Sequence, residues 1–264
     1  MNTKDNQLKI TYQENGYLVL RGFFEKNETL ALRETILKFH DSWKQENAVF
    51  YKQKAVNSAY ITAPKYLGKD SRVELFRFIG SDKIMDIAGL VLRDRPTFMN
   101  TQLFFNPADE KQKNYWHRDP QYHLSLAEQK DVLVGPDVVH FRIPLCDEPG
   151  IELVPGSHKR WDSKEELDVR LEKNGRSKHH DLSSGTIIKL QEGDLLIFSA
   201  NMIHRGLYGQ NRLAFDILLC EPVPTLVKHV QTDCLPELSI REDLENPDAF
   251  DSTIELMNLN SIVR

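Results

Sequence analysis

The chain has 264 residues, of which 40% are apolar and 28% charged, and its formal net charge is -5. This composition is typical of an ordinary globular protein with one large domain or two small ones. The sequence has no Lys/Arg-rich block, which argues against a dedicated nucleic-acid binder.

The cysteines and the apolar runs indicate the cellular compartment of the protein. Cys146, Cys220 and Cys234 are an odd number without CxxC spacing, so we expect reduced thiols and a cytoplasmic location. No apolar run approaches the ~18 residues of a membrane span, and the first ten residues lack the apolar segment of a signal peptide. We therefore expect small-molecule partners and no membrane contact, and the oligomeric state stays open.

The first 96 residues are predicted to be mostly helical with one early strand. Residues 8–24 alternate loosely and suggest a strand that is entered through a turn at Gly16. Asn27 is predicted to cap a helix, whose buried stripe consists of Leu32, Ile36, Phe39 and Trp43. A second helical stretch, residues 73–92, is interrupted by two glycines.

The pattern changes at residue 97 to short apolar segments rich in β-branched and aromatic residues. They are residues 98–105, 138–145, 151–154, 187–190, 195–198 and 213–219. This spacing predicts a mainly β fold with flanking helices, either a double-stranded β-helix (the cupin-like jelly roll) or a small barrel.

We predict a single domain over residues 1–264. It would consist of a mostly helical part (1–96), a jelly-roll core (97–221) and a C-terminal extension (222–264) with a strand remnant and a short helix. Within the core, residues 159–184 are polar and are predicted to be an excursion at the rim, a candidate lid.

One short motif, Trp116-His117-Arg118-Asp119, stands out for its chemistry. His117 and Asp119 are two residues apart, so on an extended strand both side chains lie on one face. His204 follows 87 residues later, after an apolar strand. Two histidines and one carboxylate make a facial triad, the arrangement of non-haem Fe(II) oxygenases.

Arg212 follows the second histidine by eight residues and precedes the last predicted strand of the core. It shares one strand face with Ala214 and Asp216. A guanidinium in this position suits bidentate capture of a carboxylate, such as the distal carboxylate of 2-oxoglutarate. Strand alternation turns Arg205 away from the same site.

Four motifs together resemble the phytanoyl-CoA dioxygenase family of Fe(II)/2-oxoglutarate oxygenases. They are the opening strand ENGYLVLRGF (14–23), Trp116-His117-Arg118-Asp119, the loop PGSHK (155–159), and Gly193-Asp194 through His204. The resemblance extends from about residue 14 to residue 221.

The resemblance implies a function for each matching position. His117, Asp119 and His204 would be the catalytic iron ligands, Arg212 would bind the distal carboxylate of 2-oxoglutarate, and Gln102 and Asn106 would make further cosubstrate contacts.

The implied activity is a dioxygenase that uses Fe(II), 2-oxoglutarate and O2 and releases succinate and CO2. The carboxylate of Asp119, which a small residue replaces in related halogenases, indicates hydroxylation. Two alternatives stay open: a cupin-like metalloenzyme that does not use 2-oxoglutarate, and a non-catalytic relative that acts as a binding module.

The chain departs from the family pattern at several positions. Arg118 replaces a Gln between the ligands, Asn106 stands where Lys is common, and Arg142 stands where an aromatic residue is typical. The connection over residues 147–150 is short. These departures leave the metal chemistry intact and argue against an acyl-CoA substrate.

Arg142 is the main candidate for a substrate contact, since the matching family position faces the cavity. A buried guanidinium needs an anionic partner. That partner is an internal carboxylate such as Asp216, the cosubstrate, or an anion on the substrate. We favour the substrate over the cosubstrate, which predicts a small polar or acidic metabolite. Tyr122 and His123 are candidates for the substrate entrance, whereas His140 and His158 are assigned to structure.

Overall fold

A computed structural model of the chain describes residues 3–262 and the side chains of residues 3–258. The first part is mainly helical: α1 (Thr3–Asn15), β1 (Tyr17–Leu20), α2 (Lys26–Glu46), α3 (Ala48–Gln53), β2 (Asn57–Ala59), α4 (Lys69–Ile79) and α5 (Asp82–Val91). The central part holds the other strands and two short helices: β3 (Thr97–Phe105), α6 (Leu126–Asp131), β4 (Val138–Pro144), β5 (Glu148–Leu153), α7 (Lys164–Arg170), β6 (Thr186–Leu190), β7 (Leu195–Ser199), β8 (His204–Gly206) and β9 (Leu213–Cys220). Three helices follow: α8 (Pro224–Val227), α9 (Leu238–Arg241) and α10 (Asp248–Ile262).

The strands form two antiparallel sheets. The larger sheet has the order β1-β7-β4-β9-β3-β2, and the smaller one has the order β6-β5-β8. Strands adjacent in the larger sheet come from distant parts of the chain, so residues far apart in sequence meet on one face.

The two faces of the larger sheet bury different side chains, because side chains alternate along a strand. One face packs against the helices and forms the main apolar core, with Phe141 and Ile143 of β4 among its members. The other face meets the smaller sheet, where Leu196 and Phe198 pack with Ile151. Three polar residues of the larger sheet lie on this inner face, between the sheets: His140, Arg142 and Asp216.

The two antiparallel sheets and their flanking helices confirm the coarser part of the predicted fold. Helices nevertheless contain more of the described residues than strands do. The prediction for residues 8–24 was wrong over residues 8–15, which continue α1. This helix is largely polar and buries only Tyr12 among its described residues, so periodicity gave no signal for it.

Three further differences concern a helix cap, two short strands and the C-terminal part. Helix α2 begins at Lys26 and is capped by Glu25 through a capping box with Glu28, instead of by Asn27. Strands β2 and β8 have three residues each, too few for a recognisable alternation. Beyond residue 222 the described residues contain helices and no strand.

One glycine explains the turn that precedes β1. Gly16 has a φ of 79°, and a Cβ atom there would lie 2.4 Å from Nδ1 of His158. The close approach ties the first strand to the loop at residues 155–159. None of the described helices is long and apolar enough to cross a membrane.

Candidate metal centre and cosubstrate site

His117 and His204 lie side by side because their backbones pair directly. Each backbone N–H donates to the carbonyl of the other residue at 2.9 Å, an isolated antiparallel bridge. His204 also begins β8, where it pairs with Leu153 of β5. The imidazole ring centroids are 4.2 Å apart. The smaller sheet therefore places both histidines at its edge.

Asp119 completes the group from the first residue of a short 3-10 helix, Asp119–Tyr122. Its backbone N–H donates to the carbonyl of Ala200 at 3.2 Å. Its Oδ1 lies 3.5 Å from Nε2 of His117 and 3.6 Å from Nε2 of His204. The three ligand atoms lie within 4.8 Å of one another, close enough to hold one metal ion.

The hydrogen bonds of both histidines leave Nε2 free for a metal. Nδ1 of His117 donates to the carbonyl of Tyr115, and Nδ1 of His204 donates to that of Met202, each at 3.1 Å. Such outer contacts fix the tautomer of metal-binding histidines. Burial lowers the pKa of His117, and it lowers the pKa of His204 to about 3, so both rings are neutral near pH 7.

The electrostatics of Asp119 also suit a metal ligand. Burial alone would raise the pKa of its carboxyl group, but the neighbouring rings of His204, His140 and His117 bring it below its ordinary value. Asp119 is therefore ionised near neutral pH. Two neutral imidazoles and one carboxylate are a donor set that fits Fe(II).

His140, which sequence reasoning assigned to structure, contacts this group directly. Its Nε2 lies 2.8 Å from Oδ2 of Asp119, and its Nδ1 lies 3.1 Å from Oδ2 of Asp216. Only a doubly protonated ring can donate through both nitrogens. Burial lowers the pKa of His140, but the two carboxylates outweigh burial and raise it to about 9.

Arg212 lies at the far end of the same inner face. Its guanidinium is bracketed by the rings of Phe104 and Tyr208, at 5.8 and 5.5 Å from their centroids. A Cβ atom at Gly206 would lie 2.3 Å from its Nη2, so the absence of a side chain there makes room for the group. Among the described residues it makes no hydrogen bond, and its Nε is buried without a partner.

The charge on Arg212 is retained near neutral pH. Burial and the nearby guanidinium of Arg142 lower the pKa of Arg212 to about 10, while Glu148 opposes this effect. Oε2 of Glu148 lies 3.6 Å from Nε of Arg212. A buried cation without hydrogen bonds fits the distal carboxylate of 2-oxoglutarate.

Arg142 lies on the inner face as expected, but two internal carboxylates satisfy it. Its Nε and Nη2 each donate to Oε1 of Glu148 at 3.1 Å, and its Nη1 donates to Oδ1 of Asp216 at 3.2 Å. All three residues are buried. An internal carboxylate was one of the three expected partners of this guanidinium, and a further contact with a substrate anion stays a prediction.

The two additional cosubstrate candidates differ in their positions. Gln102 lies on the inner face of β3, directly opposite Asp216 of β9, and its side chain has no hydrogen bond among the described residues. Asn106 instead bonds the turn before Arg212: it donates to the carbonyl of Gln210 at 2.7 Å and accepts from the N–H of Gly209 at 3.0 Å. Asn106 therefore shapes this turn, and its contact with the cosubstrate stays a prediction.

The two entrance candidates also differ. The ring of Tyr122 lies 5.6 Å from that of His117, and its hydroxyl donates to Tyr115 Oη at 3.0 Å, so it borders the metal centre. His123 is exposed, and its ring stacks on that of His229 at 6.1 Å. It makes no contact with the triad among the described residues.

Arg118 points away from the ligands that flank it and is fully buried. Its guanidinium donates to Oδ1 of Asp162 at 2.9 and 2.8 Å, to the carbonyl of Ser157 at 2.8 Å, and to the carbonyl of Asn201. Arg170 donates to the other oxygen of Asp162 at 2.8 Å. The residue that departs from the family pattern thus joins the ligand loop to residues 157–170.

Comparison with known proteins identifies the family. A sequence profile of phytanoyl-CoA dioxygenase (PhyH) matches residues 12–212. The chain belongs to the phytanoyl-CoA dioxygenase family. Members of this family are oxygenases that use Fe(II), 2-oxoglutarate and O2, which confirms the predicted family and its cofactors. No curated protein matches the chain in sequence.

Solved structures share the fold at low sequence identity. EctD from S. alaskensis with 2-oxoglutarate and 5-hydroxyectoine is 15% identical, with a TM-score of 0.56 over 83% of this chain and 76% of its own. AviO1 from Streptomyces viridochromogenes Tue57 is 15% identical, with a TM-score of 0.59 over 84% of this chain and 97% of its own. The epimerase SnoN from nogalamycin biosynthesis, in complex with Fe3+, alpha ketoglutarate and nogalamycin RO, is 15% identical, with a TM-score of 0.54 over 89% of this chain and 94% of its own.

Sequence reasoning about this phytanoyl-CoA dioxygenase family member missed His140 and Glu148. A signal for His140 was present, since His140 and Arg142 alternate with apolar residues along a strand that is buried on both faces. Charged residues on the inner side of such a strand must have partners. The sequence could not indicate that Glu148 is one of them, because this contact depends on how two strands pack.

Proposed function

We propose that the chain is an Fe(II)- and 2-oxoglutarate-dependent dioxygenase that hydroxylates a small molecule and releases succinate and CO2. The observation that supports this best is the combination of the triad (His117, Asp119 and His204) with a buried arginine, Arg212, that lacks hydrogen bonds. A metalloenzyme that does not use 2-oxoglutarate has no need of the arginine, and a non-catalytic relative has no need of the triad.

Each group has a separate role in this proposal. His117, Asp119 and His204 hold the metal, which when bound supplies the activation of dioxygen. Arg212 binds and orients the distal carboxylate of 2-oxoglutarate, and Gln102 is free to add a hydrogen bond. Phe104 and Tyr208 cover the guanidinium and exclude water, which strengthens its attraction to a carboxylate.

The substrate is proposed to be a small polar molecule that need not be anionic. Arg142, the residue that suggested a substrate anion, is neutralised by Glu148 and Asp216. The hydroxyls of Tyr115 and Tyr122 are among the polar groups that border the metal centre. These groups suit hydrogen bonding to an uncharged substrate.

The finer parts of the predicted architecture and location are also proposals. We propose that the two sheets are the halves of a jelly roll and that residues 1–264 form one domain with the three parts given above. The three cysteines are unpaired, which supports a cytoplasmic location.

A metabolite screen tests the activity. The full chain is loaded with Fe(II) under ascorbate, and succinate formation from 2-oxoglutarate is measured with each candidate substrate. We expect a hydroxylated product in a fixed ratio to succinate, and none from His204→Ala, which lacks one ligand. Succinate formation that is equal in the wild type and in His204→Ala would contradict the proposal.

The cosubstrate site is tested separately with Arg212→Ala. Losing a buried charge-assisted pair costs roughly 2–5 kcal/mol, so the KM for 2-oxoglutarate should rise at least about tenfold while the metal still binds. Arg176→Ala is the matched control, because Arg176 is partly exposed and pairs with Glu165 at the rim. An unchanged KM in Arg212→Ala would mean that another basic residue binds the cosubstrate.

A further inference from the structure

We infer that His140 is a positioning residue that fixes the orientation of the metal ligand Asp119. The inference rests on the proposed function, because it concerns how the triad is held for iron. Nε2 of His140 lies 2.8 Å from Oδ2 of Asp119 and forms a hydrogen bond with it. The other oxygen, Oδ1, faces Nε2 of both His117 and His204. The carboxylate can then offer the metal a single oxygen.

A second contact holds the ring of His140 in place. Its Nδ1 lies 3.1 Å from Oδ2 of Asp216, and the other oxygen of Asp216 accepts from Arg142 at 3.2 Å. The ring stacks on Phe198, with centroids 4.6 Å apart and planes 11° from parallel. His140 is buried, so water does not compete for these bonds.

The contacts continue from the metal centre to the cosubstrate arginine. Arg142, held by Asp216, also bonds Glu148, whose Oε2 lies 3.6 Å from Nε of Arg212. One buried series of charged groups therefore connects Asp119 to Arg212. Within this series His140 is the residue that contacts the candidate metal ligand Asp119. Its effect on metal binding can therefore be measured without 2-oxoglutarate.

The orientation would matter once a metal is bound, because 2-oxoglutarate and dioxygen would need the coordination positions that the three protein ligands leave open. A carboxylate that turned to bind through both oxygens would occupy one of these positions. Hydrogen bonds from outer residues to ligating carboxylates restrict such turning, and removing them typically lowers metal affinity or activity by about 10–100-fold.

Two substitutions separate the two contacts of His140. The side-chain nitrogen of Asn matches the position of Nδ1, so His140→Asn can keep the bond to Asp216 and loses the bond to Asp119. The side-chain nitrogen of Gln matches Nε2, so His140→Gln can keep the bond to Asp119. If His140 matters only for packing or for Asp216, the Gln variant should be no better than the Asn variant.

The measurement is metal affinity, determined by calorimetric titration of the full chain with Co(II) as a spectroscopically active stand-in for Fe(II). We expect the Kd for Co(II) to rise about 10–100-fold in His140→Asn and to stay within about threefold of wild type in His140→Gln. His180→Gln, which replaces an exposed histidine, is the matched control and should bind Co(II) like the wild type. Thermal melts establish that each variant is folded. If His140→Asn does not fold, His140→Met takes its place, because Met keeps the volume packed on Phe198 and also lacks the bond to Asp119.

The outcomes distinguish this inference from the proposed function. Equal Co(II) affinities in the wild type, His140→Asn and His140→Gln would overturn the positioning role and leave the proposed function intact. Equal losses in both variants would also overturn it, because they would indicate a structural role. A wild-type chain that does not bind Co(II) would overturn the proposed function itself.

Discussion

At the scale of single residues, the inner face of the sheet is governed by the need to pair buried charges. Arg142 and Glu148 are both buried, and each would be costly without the other. The chain departs from the family pattern both at Arg142 and in the short connection at residues 147–150. These two departures are in contact, because the connection includes Glu148, the partner of Arg142. We interpret the pair as an internal feature of this chain.

Arg142→Leu tests this interpretation. The substitution leaves Glu148 and Asp216 without their shared cation, and breaking a buried pair in this way costs roughly 3–5 kcal/mol. We expect a lower free energy of unfolding in urea, together with parallel losses of substrate turnover and of substrate-independent 2-oxoglutarate decarboxylation.

The double variant Arg142→Leu/Glu148→Leu is the control, since it also removes the carboxylate that accepts most of the bonds from Arg142 and should recover part of the stability. A stable Arg142→Leu variant that loses only substrate turnover would restore the substrate anion as the partner of Arg142.

At the scale of elements, the sequence predicted the strands that contain a clear apolar run and the candidate metal ligands that stand close to such a strand or to each other in sequence. Seven of the nine described strands carry an apolar run long enough to recognise, whereas β2 and β8 have three residues each. The triad was predictable because His117 and Asp119 are close in sequence and His204 follows a clear strand. The His140 and Glu148 contacts were not, because they depend on register and on the packing of two sheets.

The segment over residues 157–170 shows why a polar stretch need not be mobile. One of its charges is internal and paired twice: Asp162 lies between the guanidinium groups of Arg118 and Arg170, and all three side chains are buried. Arg118 stands between the two candidate metal ligands His117 and Asp119, so this salt bridge fastens the segment to the loop that carries them. The predicted excursion is therefore anchored at its first half.

Asp162→Ala should reveal the strength of this anchor. Two buried guanidinium groups would lose their shared carboxylate, at a cost of roughly 3–5 kcal/mol, and the Tm should fall by on the order of 10 °C. The Tm is measured by circular dichroism. Asp181→Ala is the matched control from residues 157–184: Asp181 pairs with Arg205 at 2.6 Å, but its side chain is 89% exposed, so little change is expected. Equal Tm values for the two variants would contradict the anchor.

At the scale of the whole molecule, the larger sheet separates two environments. Its outer face and the helices bury the main apolar core, while its inner face holds charged groups in pairs between the sheets. The main apolar core therefore lies on one face, and the charged groups beside the candidate site lie on the other. The side chains of the larger sheet that belong to the helix-facing core point away from the candidate site, so substitutions there should change the stability of the fold and not the site itself.

His40 gives this separation a measurable pH dependence. It packs on the helix-facing side, with its ring 4.6 Å from that of Phe105, and its Nδ1 is buried without a partner. Burial, aided by nearby Lys44, lowers the pKa of His40 to about 4. Below its ordinary pKa of about 6.5 the unfolded chain binds a proton that the folded chain does not, so stability falls as the pH decreases from about 6.5 towards 4.

His40→Phe should therefore reduce the loss of Tm between about pH 7.5 and about pH 5, because a residue that does not titrate replaces one that resists protonation only when folded. Phe keeps a ring between Trp43 and Phe105, so the packing is largely retained. Part of the pH dependence should remain, since burial also lowers the pKa of His158 to about 4. His180→Gln, at an exposed position, should lose as much Tm as the wild type. If His40→Phe lost as much Tm as these two proteins, His40 would not be the source of the acid sensitivity.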